Sequence, residues 1–264
     1  MLKIDRISKT FNRNTVNEKK ALIDLSLSIQ DGDFVTVIGG NGSGKSTMLN
    51  TVAGVLPVDS GQIAIDQIEV TRLPEYKRAP YIGRVFQDPM MGTAAGMGIE
   101  ENLALAYRRG QRRGLAWGIK KAERAFYRQQ LKRLGLGLED RLSVKAGLLS
   151  GGQRQALTLL MASMKKPKLL LLDEHTAALD PKTARTVLDI TRQIVEEDGI
   201  TTLMVTHNMR DAIALGNRLI MFYEGRVVID VEGETKKQLT VEKLLTMFDR
   251  ISSSGQVDDK LLFL

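Results

Sequence analysis

Gly39-Gly40-Asn41-Gly42-Ser43-Gly44-Lys45-Ser46-Thr47 is the stretch that decides the fold. It matches G-x-x-x-x-G-K-[ST] from Gly39 to Ser46. Phe34-Val35-Thr36-Val37-Ile38 before it is a compact β-branched strand, and Met48-Leu49-Asn50-Thr51-Val52-Ala53 after it reads as helix. Strand, glycine loop and helix start are the context that makes such a pattern a phosphate site. The glycines let the backbone fold tightly, so that several N–H groups along Gly39, Asn41, Gly42, Ser43 and Gly44 can point at one anion. The helix start adds positive dipole at the same spot. Lys45 brings a full charge to terminal phosphates, Ser46 offers a hydroxyl to Mg²⁺, and Thr47 is placed to hydrogen-bond phosphate.

Further along, Leu169-Leu170-Leu171-Leu172 is a continuous apolar run of the kind that suits a parallel strand buried on both faces. It ends in Asp173, and Glu174 follows. With a phosphate loop upstream, Asp173 is expected to hold the Mg²⁺ shell opposite Ser46, and Glu174 to polarise an attacking water. Leu149-Ser150-Gly151-Gly152-Gln153 then leads into a helix over Gln153–Ala162, a second dipole-tipped anion site. One nucleotide does not need two such sites in one chain.

Composition narrows the possibilities. The chain has 264 residues, near the upper limit for one hydrophobic core, so a single domain with an inserted sub-domain is expected. Values of 43% hydrophobic and 26% charged residues are globular. Cys 0 excludes disulfides and thiolate metal sites. Met1-Leu2-Lys3-Ile4-Asp5-Arg6 lacks the apolar centre of a signal peptide. No apolar run approaches the roughly 18 residues that span a bilayer, so a membrane role has to come through a partner. A net charge of +7 favours an anionic neighbour.

The remaining pattern gives a coarse map. Leu25, Leu27 and Ile29 alternate with polar residues as in a half-buried strand, and Asp31-Gly32-Asp33 turns into the phosphate-loop strand. Asp59-Ser60-Gly61 reads as a turn before a short strand, Gln62–Asp66. Pro181–Glu197 reads as a helix with proline at its start, and Thr201–Thr206 as another apolar strand. Arg218–Tyr223 and Arg226–Val231 flank Glu224-Gly225, a hairpin signal. Thr240–Ile251 has the pattern of an amphipathic helix, with a loose tail expected from Ser252.

The phosphate loop and the Leu-Ser-Gly-Gly-Gln motif, in that order, resemble the ATP-binding subunit of ABC transporters over about Leu2 to Glu232. The resemblance implies an α/β fold: a P-loop NTPase core with a mixed parallel sheet, an N-terminal antiparallel β region and an inserted helical sub-domain. On it, residues 1–232 form a single ATPase domain, with 1–87 and 149–232 as core, 88–148 as the helical sub-domain, and 233–264 as a C-terminal helix and tail. It implies that Gln87, in Val85-Phe86-Gln87-Asp88-Pro89, senses Mg²⁺ and the attacking water. Ala177-Ala178-Leu179-Asp180 looks like the loop bridging two subunits, and His207 like the switch histidine that contacts the γ-phosphate. Phe11 sits where the family places an aromatic that stacks on adenine. Ser150, Gly151, Gly152 and Gln153 are expected to close on a nucleotide held by the other copy.

Two positions depart from the family pattern. Gly40 replaces a common proline, which glycine can mimic without loss of ATP binding. His175 also replaces a proline; it is either a surface substitution, the reading favoured, or a contact with the nucleotide edge.

Together these imply an enzyme that hydrolyses ATP with Mg²⁺, pairs head to tail as a homodimer or with another motor subunit, and works with transmembrane permease subunits at the cytoplasmic face of the cell membrane. Uptake with an extracytoplasmic solute-binding protein is the expected direction, the cargo an amino acid of aromatic type. An exporter of lipoprotein or macrolide type is the alternative. A soluble ATPase acting on nucleic acid is a lesser one, because the stretch 48–168 carries no sustained heptads. No nucleic acid is expected as a partner. The basic residues Arg108, Arg109, Arg112, Arg113, Lys120, Lys121, Arg124, Arg128, Lys132 and Arg133 read as a solvated helical face.

Overall fold

The computed structural model describes residues 1–111 and 118–254. In chain order the elements are β1 (Leu2–Phe11), β2 (Lys19–Ile29), β3 (Phe34–Gly39), α1 (Lys45–Ala53), β4 (Ser60–Ile65), β5 (Ile68–Glu69), α2 (Glu75–Arg78) and β6 (Ile82–Val85). They continue with α3 (Ile99–Tyr107), α4 (Lys121–Lys132), α5 (Gly151–Ser163), β7 (Leu169–Asp173), α6 (Pro181–Asp198) and β8 (Thr202–Val205). Last come α7 (Met209–Ala214), β9 (Arg218–Tyr223), β10 (Arg226–Glu232), α8 (Gly233–Lys237) and α9 (Val241–Ser254). The chain divides into two compact units, residues 1–78 with 201–264, and residues 79–200.

In the first unit an antiparallel sheet runs β2-β1-β4-β5. Beside it a mixed sheet has β3 between β8 and β9, parallel to both, with β10 antiparallel to β9 as the expected hairpin. β3 is buried along nearly its whole length, which suits its β-branched, mostly apolar sequence, and the buried Thr36 hydroxyl donates to Ala212 O at 2.8 Å. The apolar stripe of α9 covers this sheet: Leu244 is buried in a cluster with Ile38, Met221, Val228 and Val231, and Phe248 meets the Tyr223 ring edge-on at 5.4 Å.

In the second unit β6 and β7 are parallel, with Val85 opposite Leu172. Residues Leu169 to Leu172 are fully enclosed. α5 and α6 pack on each other, and α5 also packs on α3.

Some boundaries differ from the sequence expectation. β4 starts at Ser60, so Ser60 and Gly61 are strand, not turn. α9 runs on to Ser254, so the residues expected to open the loose tail are helical. The tail Lys260-Leu261-Leu262-Phe263-Leu264, which by sequence could either dock or fray, lies outside the described residues.

Candidate functional site: a nucleotide cradle and its companion loops

The phosphate loop joins β3 to α1. Gly44 is the N-cap of α1 at φ +113, and a Cβ there would sit 2.5 Å from the Ala21 carbonyl oxygen. Only glycine meets both demands. Lys45 is 6% exposed, and its Nζ donates to Gly39 O at 2.7 Å and Gly40 O at 2.9 Å. The cation is thus held over the loop by the loop's own carbonyls.

The start of α1 differs from the other long helices. It has no side-chain cap and no acidic residue in its first turn. α5 is capped by Ser150 and α6 by Asp180. Uncapped N–H groups beside a buried ammonium form a site for an anion. The Ser43 hydroxyl is also buried in this loop without a partner, a donor waiting for an acceptor.

A cavity of about 230 Å³ opens over the loop, lined by Phe11, Lys19, Ala21 and the stretch Gly42 to Thr47. Phe11 thus borders the space directly over the loop. Lys19 was not anticipated. It is paired with Phe11 across β1 and β2, and a side chain built on Gly42 would meet its Nζ at 2.8 Å. Ser46 is exposed at the mouth of the loop, and Thr47 is half-buried. His207 follows β8, whose neighbour β3 leads into the loop; Thr206 N donates to Val37 O at 3.0 Å. The carboxyl ends of adjacent parallel strands thus carry both, the usual place for a ligand in an open α/β sheet.

The other expected residues belong to the second unit and are tied to one another. Asp173 ends β7, and Arg84 Nη2 on β6 lies 3.4 Å from its Oδ2 while the guanidinium stacks 4.7 Å over the Phe86 ring. Glu174 takes φ +45, a left-handed backbone uncommon for a side chain of its size. Gln87 is exposed just beyond β6. Gln155 Nε2, on α5, donates to Phe86 O at 2.9 Å and fixes the backbone immediately before Gln87.

At the start of α5, Ser150 Oγ accepts from Gln153 N, and Gln153 Oε1 accepts from Ser150 N, each at 3.3 Å. This is a capping box. The Ser150 hydroxyl proton stays available to another acceptor. Gly152 is buried against α6: a Cβ would fall 2.0 Å from Thr183 Cγ2. Gly151 lies beside Leu179, so the signature loop rests on the Ala177–Asp180 turn of its own chain.

His175 corrects the surface expectation. It is 1% exposed, and its Nε2 lies 3.0 Å from Thr191 Oγ1 on α6. Burial pushes its pKa down to about 4, so the ring is neutral.

The basic segment is also less solvated than expected. Arg108 pairs with Glu123, Arg124 with Glu100, and Arg133 with Glu197 and Asp198. Arg109 donates to Ala162 O at 3.2 Å, while Lys120, Lys121, Arg128 and Lys132 face solvent. Arg112 and Arg113 lie outside the described residues.

A phosphate loop under an aromatic ring, a strand-end Asp-Glu pair and a capped Ser-Gly-Gly-Gln helix define an ATP-binding cassette. The ABC transporter family model matches residues 22–177, and the chain belongs to that family. A tyrosine transport ATP-binding protein of Clostridioides difficile (strain R20291) is 47% identical over 94% of this chain and 99% of its own length. The methionine import ATP-binding protein MetN of Rhizobium etli is 35% identical, over 79% of this chain and 56% of that protein. A solved dimeric cassette in a post-hydrolysis state, bound to ADP and Pi, aligns with TM-score 0.74 and 31% identity over 88% of this chain and 98% of that one. The ADP conformation of a second cassette aligns with TM-score 0.76 and 27% identity over 94% of this chain and 98% of that one.

The fold is thus the cassette's P-loop α/β fold, with its antiparallel N-terminal sheet, mixed parallel sheet and helical part, and the chain is an ATPase of the transporter family. No helix among the described residues is long and apolar enough to cross a membrane.

Proposed function

We propose that this chain is the motor subunit of an uptake system for an aromatic amino acid. The observation that carries this reading is the 47% identity to the tyrosine transport ATP-binding protein, which spans 94% of this chain and 99% of that relative. The chain works as a pair, head to tail, attached to permease subunits at the cytoplasmic face of the membrane and served by a solute-binding protein outside.

The residues suit a nucleoside triphosphate. The partnerless Ser43 hydroxyl, the bare start of α1 and the Phe11 ring over the cavity each ask for a part of that molecule. They also suit Mg²⁺. No group of three or more His, Cys, Asp or Glu that could hold a metal exists among the described residues. Ser46, Asp173 and Gln87 are the residues that would hold the ion, which magnesium on a nucleotide takes with few protein ligands. When bound it neutralises charge on the terminal phosphates.

The chain's own groups then divide the work. Phe11 stacks on the base. Gly39, Asn41, Gly42, Ser43, Gly44 and Thr47 cradle the phosphates, and Lys45 stabilises charge as it builds on them. Glu174 takes the proton of the attacking water, and His207 donates to the γ-phosphoryl oxygens. Ser150, Gly151, Gly152 and Gln153 of the opposite copy close on the same phosphates, with the free Ser150 O–H as donor. Loss of the γ-phosphate removes the shared anion, and the pair opens.

A strain deleted for this chain tests the cargo directly. Uptake of labelled tyrosine should fall and return when the chain is restored, but not when its Glu174→Gln variant is supplied. Unchanged uptake of tyrosine, phenylalanine and tryptophan in the deletion strain would refute the assignment.

A further inference from the structure

Glu174 holds a left-handed backbone, φ +45, at the end of β7. A residue with a long side chain stays in that region only where its surroundings over-determine it. The surroundings are identifiable. Glu174 O accepts from Ala177 N at 2.9 Å, which closes the turn on the far side. The next residue, His175, is 1% exposed and reaches α6, where its Nε2 lies 3.0 Å from Thr191 Oγ1. The Thr191 hydroxyl donates to Val187 O at 2.8 Å. Its proton is therefore committed, its oxygen is left to accept, and the imidazole must carry its proton on Nε2. The direction of this bond is fixed from the helix outward.

The helix is itself secured at both sides of the contact. Asp180 caps its start by accepting from Thr183 N at 3.1 Å, and Arg133 binds Glu197 and Asp198 near its end. α6 is thus a fixed post, and the imidazole is the strut from that post to the peptide that follows Glu174.

We propose that His175 is a positioning residue for ATP hydrolysis: its hydrogen bond to Thr191 holds the peptide after Glu174 and so sets where the Glu174 carboxylate points. The proposal rests on Glu174 being the group that activates water. His175 itself touches no reacting atom.

The test uses the full chain with Mg²⁺ and ATP. Thr191→Val removes the acceptor and keeps the shape, while Thr191→Ser keeps the hydroxyl. Turnover, KM for ATP, ADP affinity and amide hydrogen exchange over residues 174–180 are measured for both. Thr191→Val should lower kcat between about 10- and 100-fold, the scale of a misplaced catalytic group. KM and ADP affinity should stay within about twofold of wild type, because Phe11 and Lys45 are untouched. Exchange over 174–180 should quicken, and Thr191→Ser should restore both kcat and protection. Wild-type kcat in Thr191→Val overturns the proposal, and so does a fall in kcat that tracks a loss of ADP affinity with exchange unchanged. If the wild-type chain binds ATP but Glu174→Gln turns over normally, the role of Glu174 fails, and exchange over 174–180 in Thr191→Val still decides whether the strut exists.

Discussion

Lys19 stands directly opposite Phe11 in the pairing of β1 with β2, and both side chains border the cavity above the phosphate loop. The hairpin therefore delivers a ring and a cation together, one suited to a base and the other to the phosphates beside it. Phe11→Ala should weaken ADP binding by about tenfold, since aromatic stacking is worth about 0.5–1.5 kcal/mol beyond area burial. Lys19→Met should weaken it several-fold at low salt and less at high salt, because the ammonium is exposed and screened. Calorimetric titration at two ionic strengths checks both. Equal salt sensitivity in Lys19→Met and wild type would remove Lys19 from the phosphate site.

Gly44→Ala should leave a folded chain that no longer binds nucleotide. The new methyl meets the Ala21 carbonyl at 2.5 Å and is asked to adopt φ +113. A strained backbone of this kind costs about 1–3 kcal/mol, which a domain of this size survives. The expected result is a modest fall in Tm with unchanged far-UV circular dichroism and no measurable ADP binding. Wild-type affinity would show that the loop is not the phosphate cradle.

Glu174→Gln preserves size and backbone demands while removing the base. ATP affinity should stay near wild type while turnover falls by about 10²–10⁴, the usual contribution of a positioned proton acceptor. Single-turnover hydrolysis beside an ATP-binding titration separates the two quantities. Normal turnover would take Glu174 out of the chemistry.

His175 makes stability depend on pH. In the folded chain its pKa is pushed down from 6.5 to about 4 by burial. Above pH 6.5 the ring is neutral in both states and the full stability is present. As pH falls from there toward 4 the unfolded chain takes up a proton that the folded one refuses, so stability drops. The loss below that window approaches about 3 kcal/mol. Denaturant titrations from pH 7 to 4 should show a shallower decline for His175→Gln than for wild type. Parallel curves would contradict a neutral buried ring.

Much of the nucleotide cradle was legible because its information is local. The glycines, Lys45 and Ser46 act through a few adjacent peptides, the β-branched run at β3 announces a strand, and the apolar run at β7 one enclosed on both faces. β1 escaped for a physical reason. Its buried residues are Leu2, Ile4 and Ile7, and a bulge at Arg6, φ +45, breaks the alternation that marks a strand. Lys19 stands near the end of the mostly polar stretch 12–20, and only the register with Phe11 turns it toward the cavity. The basic segment looked solvated because some of its partners, Glu197 and Asp198, are remote in sequence. The burial of His175 is set by the packing of α6, which no pattern near residue 175 encodes.

The bare start of α1 has a consequence for the resting protein. This helix start carries no side-chain cap and the Ser43 hydroxyl is buried without a partner, so an arriving anion adds the acceptor that this end of the fold is built to take. Substrate then acts as the final piece of secondary structure. Melting temperature should climb with nucleotide concentration and go on climbing well beyond half-saturation, as mass action requires when a ligand favours the native state alone. Supply of fuel and durability of the machine are in this way governed by one and the same helix end.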